Sequence, residues 1–284
     1  MAQRLSTLDR TTGPVIYRQR LWTRLTHWVW AICLFFLLLT GLQIFNAHPT
    51  LYIGLESGFE YDNAVLQIGA RDTAEGPQGY VRLFGGELDT TGVLGWSGSD
   101  AEGYSARAFP AWATIPSYQS LASGRIVHFL FAWLLVGTLA VWLVASLINR
   151  HISDLAIGRA DLVALPTDIA NHARLRFHHS RSYNVLQKLA YAGVLFGLFP
   201  LIILTGLCMS PGFNAVAPWL LDLFGGRQTA RSLHFLAMVL LIGFFVIHML
   251  MILAAGPLNE LRSIVTGWYR IDPEAGKGSD HGRV

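Results

Sequence analysis

Four uninterrupted apolar stretches govern what this chain can become. A helix rises 1.5 Å per residue and needs about 20 residues to cross a hydrocarbon layer ~30 Å thick. Stretches of that length lie at residues 26–46, 124–148, 185–209 and 233–255. The expected fold is an all-α integral membrane protein, a bundle of four transmembrane helices within residues 1–271. A long outer loop, 47–119, separates helices one and two, and a disordered tail is expected over 272–284. Charged side chains make up 14% of the 284 residues, about half the share of a typical soluble domain, so the solvent this sequence expects is lipid. The first 25 residues are polar and the first apolar run is long enough to span, so no cleavable signal peptide is expected.

The net charge of +3 becomes informative when divided among the connecting segments. Residues 1–24 carry five arginines (4, 10, 18, 20 and 24) against Asp9, whereas residues 47–119 carry nine acids against three arginines. The third segment holds Arg150, Arg159, Arg174, Arg176 and Arg181. Lys and Arg near helix ends mark the cytoplasmic side. Both termini are therefore expected in the cytoplasm, and 47–119 outside. That outer loop reads as Gly-rich and acidic loops with short elements, able to cap a site or dock a partner. Pro257 to Ile271 carries Leu258, Leu261, Ile264, Val265 and Trp268 at helix-like spacing, an amphipathic surface helix.

Four of the ten histidines fall within or at the ends of the apolar runs: His27, His128, His234 and His248. An ionisable side chain at membrane depth is costly and marks a functional site. With helix one running outward and helices two and four inward, His128 and His234 share the outer level, and His27 and His248 the inner one. His234 and His248 are fourteen residues apart, about 21 Å and nearly four turns, so both project from one face of helix four. Two histidines at each of two depths suit bis-histidine ligation of haem iron, which leaves no open position for dioxygen. Zinc would want four ligands. No Cys-x-x-Cys-His occurs, so haem would be held without covalent attachment; Cys33 and Cys208 read as small buried hydrophobes.

The string Leu-Thr-Gly-Leu occurs at 39–42 and again at 204–207, near the outer ends of helices one and three. Gly41 and Gly206 could let a macrocycle approach the backbone. Arg125 and Arg231, three residues before the outer histidines, and Arg24, at the same offset from His27, are candidates for haem propionates. Asn184, Gln187 and Lys188 at the start of helix three lie near the inner level and could serve a quinone.

Arg24-Leu25-Thr26-His27-Trp28 resembles the opening of the bacterial cytochrome b subunits that anchor Ni,Fe-hydrogenases, formate dehydrogenases and thiosulfate reductases. Gly124-Arg125-Ile126-Val127-His128-Phe129 is similar to the second motif of that family. The likeness continues through Tyr183–Lys188, Leu204–Leu207, Met209–Phe213 and Gly225–Gln228 to His234 and His248. The resemblance implies two haem b groups and a conduit in the bacterial inner membrane between a periplasmic catalytic subunit and menaquinone or ubiquinone. A molybdopterin subunit is expected ahead of a hydrogenase, because the long outer loop departs from the compact hydrogenase type. The rival expectations are a stand-alone quinone reductase taking electrons from a small outer donor such as superoxide, and a haem-free transporter or anchor. Membrane lipid is expected around the helices, and nucleic acid is not an expected partner.

Overall fold

The computed structural model describes residues 13–99, 103–177, 179 and 183–273. Short strand β1 (Val15–Tyr17) precedes the first long helix, α1 (Leu21–Phe45). Residues 47–119 hold β2 (Thr50–Tyr52), β3 (Ala64–Thr73), β4 (Gly76–Leu83), β5 (Gly86–Asp89), β6 (Gly95–Ser99) and β7 (Gly103–Arg107). Helix α2 (Leu121–Ile148) follows, then α3 (His151–Asp154), α4 (Arg159–Ala173) and the third span, α5 (Val185–Ala192) and α6 (Phe199–Cys208). After α7 (Pro211–Val216) and α8 (Trp219–Leu223) comes the last long helix, α9 (Arg227–Ala255), then α10 (Pro257–Thr266) and β8 (Trp268–Arg270). Four helices of 24 to 29 residues are long and apolar enough to cross a membrane, at Leu21–Phe45, Leu121–Ile148, Val185–Cys208 and Arg227–Ala255.

Three helices begin before the apolar runs do. Hydropathy marks the part that lies in hydrocarbon, while the hydrogen-bonded ladder continues through polar turns such as Arg227–Ala230. The third span departs from a uniform helix, since Gly193–Leu198 is wound as a π-helix. Pro200 offers no N–H to the carbonyl of Phe196 and its ring crowds that turn, so the ladder widens there.

The chain packs as two compact units. One draws on Val29–Gly137 and Phe199–Leu240. In it the expectation of loops with short elements is replaced by a four-stranded antiparallel sheet, β2-β3-β4-β5, and a separate β6-β7 hairpin. The β4–β5 hairpin closes through Phe84 (φ 46°) and Gly85 (φ 82°), both left-handed as a type I′ turn requires. Phe45, Leu51, Ile68 and Ala108 form the buried centre, with Phe109 and Phe235 packed on it. The guanidinium of Arg107, only 8% exposed, donates to the carbonyls of Phe109 (2.7 Å) and Ser117 (2.8 Å), to Thr114 Oγ1 (2.9 Å) and to Gln43 Oε1 (3.3 Å). Asn46 pairs with both backbone groups of Phe109. The loop after β7 is thereby fastened to the end of α1.

The other unit draws on residues up to Trp28, on Thr138–Leu198 and on the chain from Leu241. Here β1 and β8 pair antiparallel, Val15 opposite Arg270. The expected surface helix at 257–271 is α10 only as far as Thr266; Gly267, at φ 90°, ends it and β8 follows. Helix α4, unforeseen in the sequence, starts with the Asp161 carboxylate accepting from the N–H of Gly158 (2.8 Å). The tail expected to be disordered lies, from 274 on, outside the described residues; Asp272 is placed and hydrogen-bonded to His179.

Candidate functional site

The outer level is built from two matching halves. His128, in the second turn of α2, and His234, in the second turn of α9, bring their ring centres to 6.4 Å at an angle of 55°. Behind each imidazole stands a threonine that is fully buried. Thr40 Oγ1 lies 2.6 Å from the carbonyl of Phe36 and 3.0 Å from His128 Nδ1. Thr205 Oγ1 lies 2.6 Å from the carbonyl of Leu201 and 3.2 Å from His234 Nδ1. A hydroxyl has one proton, and the short contact to the carbonyl takes it, so each threonine accepts from an Nδ1–H. Both imidazoles are thereby set in the tautomer whose Nε2 lone pair is free to bind a metal.

Gly41 and Gly206 serve the same imidazoles. A Cβ on Gly41 would sit 3.5 Å from His128 Cε1, and one on Gly206 would sit 3.3 Å from His234 Cε1. The nearest group to each missing side chain is thus the histidine ring. These glycines let the histidine, where the sequence suggested a macrocycle, lie against the helix backbone. Arg-x-x-His-Phe recurs as well, at 125–129 and 231–235, so the outer level repeats one local motif twice.

The inner level lies in the other unit. His27, in the second turn of α1, and His248, toward the end of α9, also bring their ring centres to 6.4 Å, at 54°. Trp28 meets His27 edge-on at 5.5 Å and Phe244 stacks on His248 at 5.7 Å. His27 Nδ1 is buried with no hydrogen-bond partner among the described residues. The Leu-Thr-Gly-Leu and Arg-x-x-His-Phe strings of the outer level do not recur around this pair.

Both spacings test the fit of a haem directly. With metal–nitrogen bonds of about 2.0 Å and about 1.2 Å from ring centre to nitrogen, two axial imidazoles place their centres about 6.4 Å apart. Both pairs have that value. Among the described residues no group of three or more His, Cys, Asp or Glu could hold a metal ion, so each level offers two ligands and no more.

The remaining candidates are occupied differently from what their positions suggested. Arg231 turns its guanidinium to the carbonyls of His48 and Thr50 (2.9 Å for the latter). It fastens the segment before β2 beside His234. Ser232 Oγ donates to the carbonyl of Tyr52 (2.7 Å), and Thr229 Oγ1 accepts from the N–H of Gly54 (2.7 Å). Arg125 is exposed, with its guanidinium 5.5 Å from the ring of Phe129. Arg24 donates to the carbonyl of Val265 (2.8 Å). Asn184 and Gln187 form a capping box at the start of α5, and Lys188 pairs with Asp161 at 3.0 Å. These polar atoms hold α5 in place, and their sequence order, Asn-x-x-Gln before an apolar run, is a helix-start pattern. Thr40 and Thr205 are the functional residues whose part the sequence reading missed. Their signal was the repeated Leu-Thr-Gly-Leu.

Partial burial and the neighbouring Arg231 guanidinium hold the His48 imidazole below its ordinary pKa. The unfolded segment therefore binds a proton more readily than the folded one, and its anchoring strengthens with pH. We expect full anchoring above about pH 6.5 and a progressive loss as pH falls toward the lowered value. The protection of the Ile53, Gly54 and Thr229 amides relative to their intrinsic exchange rates should fall on acidification, and His48→Gln should remove that dependence.

Comparison with known proteins bears on the second half of the chain. Residues 156–267, about two fifths of the sequence, match the family model described as prokaryotic cytochrome b561. Over 96 residues the chain is 36% identical to the YdhU protein of Escherichia coli (strain K12), described as a cytochrome. That match covers 31% of this chain and 33% of the relative, so the alignment spans about a third of the relative's length. The family segment contains His234 and His248. The segment that is similar to these bacterial cytochromes, residues 156–267, thus includes two of the four helices long and apolar enough to cross a membrane.

Proposed function

We propose that this protein binds two haem b groups, one between His128 and His234 and one between His27 and His248. Through them it carries electrons between a membrane quinone and a redox enzyme at its outer side. The observation that supports this reading most is the shared 6.4 Å spacing of two imidazole pairs, with the outer pair held in the tautomer that leaves Nε2 free. A b haem held at either level by its two histidines would supply single-electron exchange. The chain's part is orientation and exclusion of water. Thr40 and Thr205 fix the outer imidazoles, Gly41 and Gly206 give them room, and Phe244 and Trp28 wall the inner pair.

The charge distribution supports an inner-membrane location with both termini in the cytoplasm. The arginine-bearing segments then face the cytoplasm and the β-layer faces the periplasm. On that reading the periplasmic partner is a molybdopterin subunit before a hydrogenase, and it docks on the β-layer side. Menaquinone or ubiquinone reacts at the level of His27 and His248, beside the helix start that Asn184, Gln187 and Lys188 hold in place.

Haem content and an oxidised-minus-reduced spectrum of the detergent-purified protein test the first part. Two non-covalent b haems per chain are expected; none after haem-replete expression rejects it. Affinity purification from native membranes tests the second part, with a cofactor-bearing subunit expected to accompany the chain and a lone chain counting against a partner.

A further inference from the structure

The unit that holds His27 and His248 contains a chain of titratable groups that haem ligation leaves unused. Tyr269, on β8, is 2% exposed. Its hydroxyl lies 2.6 Å from His179 Nδ1 and donates to Glu260 Oε1 at 3.1 Å. The single phenol proton goes to the carboxylate, so the oxygen accepts from the Nδ1–H of His179. Two hydrogen bonds therefore run in series and in one sense, from imidazole to phenol to carboxylate.

The surroundings hold that order in place. Backbone hydrogen bonds in both directions clip His179 to Asp272: its N–H donates to Asp272 Oδ2 (2.9 Å) and its carbonyl accepts from the N–H of Asp272 (2.9 Å). The Arg18 guanidinium lies over the rings of Tyr269 (4.4 Å) and Tyr183 (4.7 Å). Glu260 lies on α10, whose Val265 carbonyl accepts from Arg24 of α1 (2.8 Å), three residues before His27. Burial first, and Glu260 second, push the Tyr269 phenol well above its ordinary pKa, so it stays neutral. His179 is partly exposed at one end of the series, and the other end is Glu260 on α10, a helix of the unit that holds His27 and His248.

We infer that His179, Tyr269 and Glu260 form a proton relay between inner-side water and the quinone that reacts beside His27 and His248. This rests on the quinone reading above. Reduction of a quinone to a quinol takes two electrons and two protons; the electrons come from the partner redox enzyme and the protons from water. For each proton, His179 Nε2 accepts one from water, its Nδ1–H passes to the Tyr269 oxygen, and the phenol proton passes to the Glu260 carboxylate, which hands it on. His179 is left with its proton on Nε2 and regains the Nδ1–H form by exchange with water. Quinol oxidation runs the same moves in reverse, and no phenolate forms.

Tyr269→Phe keeps the ring under Arg18 and removes only the hydroxyl. The haem-loaded protein in lipid vesicles is mixed with a soluble quinol analogue, and haem reduction is followed together with proton release to a pH dye. The variant is expected to be slower by roughly tenfold or more, with a larger solvent-deuterium effect, an altered pH profile and partial rescue by added imidazole. Its haem content, dithionite-reduced spectrum and thermal midpoint should match the parent. Parental rate and pH profile in Tyr269→Phe, with the parent active, overturn the relay and leave the quinone reading standing. A parent that dithionite reduces and the quinol does not overturns both. If Tyr269→Phe loses haem or melts early, Glu260→Gln, which keeps an acceptor for the phenol, decides by the same measurements; an unchanged rate there overturns the relay.

Discussion

Replacing His234 with Ala should leave about one haem per chain where the parent holds two, with the reduced spectrum of the remaining haem and the helical content preserved. On the proposed reading the outer haem would lose one of its two protein ligands, and among the described residues no cluster of three or more metal-binding side chains stands in reserve. The inner pair draws on His27 and His248, which belong to the other compact unit. His248→Ala should remove the other haem. Thr205→Val is the subtler companion: it keeps the shape and removes the hydroxyl that accepts from the His234 Nδ1–H, a loss of about 1 kcal/mol. It should weaken haem retention and raise the outer midpoint potential, because an imidazole without its hydrogen-bond acceptor is a poorer donor to iron. Haem per chain by pyridine haemochrome and a redox titration check all three. Equal loss of both haems in His234→Ala, with the helices intact, would sink the pairing.

The second large effect is expected far from the histidines, at Arg107. Its guanidinium is buried and gathers four acceptors from the end of α1 and from the loop at 109–117. Arg107→Met fills the space but takes the guanidinium donors from Ser117, Thr114 and Gln43 and leaves the Phe109 carbonyl with Asn46 alone, which should cost about 3–5 kcal/mol. Lysine should rescue little, since one ammonium cannot reproduce a planar fork directed at four oxygens. The loss should show as protease sensitivity and rapid amide exchange between residues 107 and 118, with the four long helices still protected. An unchanged protection pattern in Arg107→Met would show that the loop is held by other contacts.

The parts of this protein legible in its sequence are those fixed by repeating geometry. Helical rise turns residue numbers into depth, so the numbers alone sort four histidines into two levels, and the two rings of each level lie 6.4 Å apart. The β-layer was hidden for an equally physical reason. β3 has one fully buried residue, Ile68, and half-buried positions on both faces, so no alternation of apolar and polar residues marks it as a strand. Pairings across long separations were also out of reach: Lys188 meets Asp161 from another helix, and Arg231 reaches carbonyls more than 180 positions away. Asn184 and Gln187 carry a second signal that the sequence reading gave less weight, the local capping pattern that the helix start uses.

The doubled motif at the outer level has a consequence for how such a site can arise. Leu-Thr-Gly-Leu followed by Arg-x-x-His-Phe is complete within each half of the chain, so two copies of one helical hairpin, facing each other, already contain every group that site uses. The inner level has no such ancestry in the repeat. Counting from the shared motif, the positions matching His27 and His248 in the opposite halves are Ala192 and Trp142. A hairpin carrying this motif could thus assemble the outer histidine level with a copy of itself, whereas the inner level needs two halves that differ.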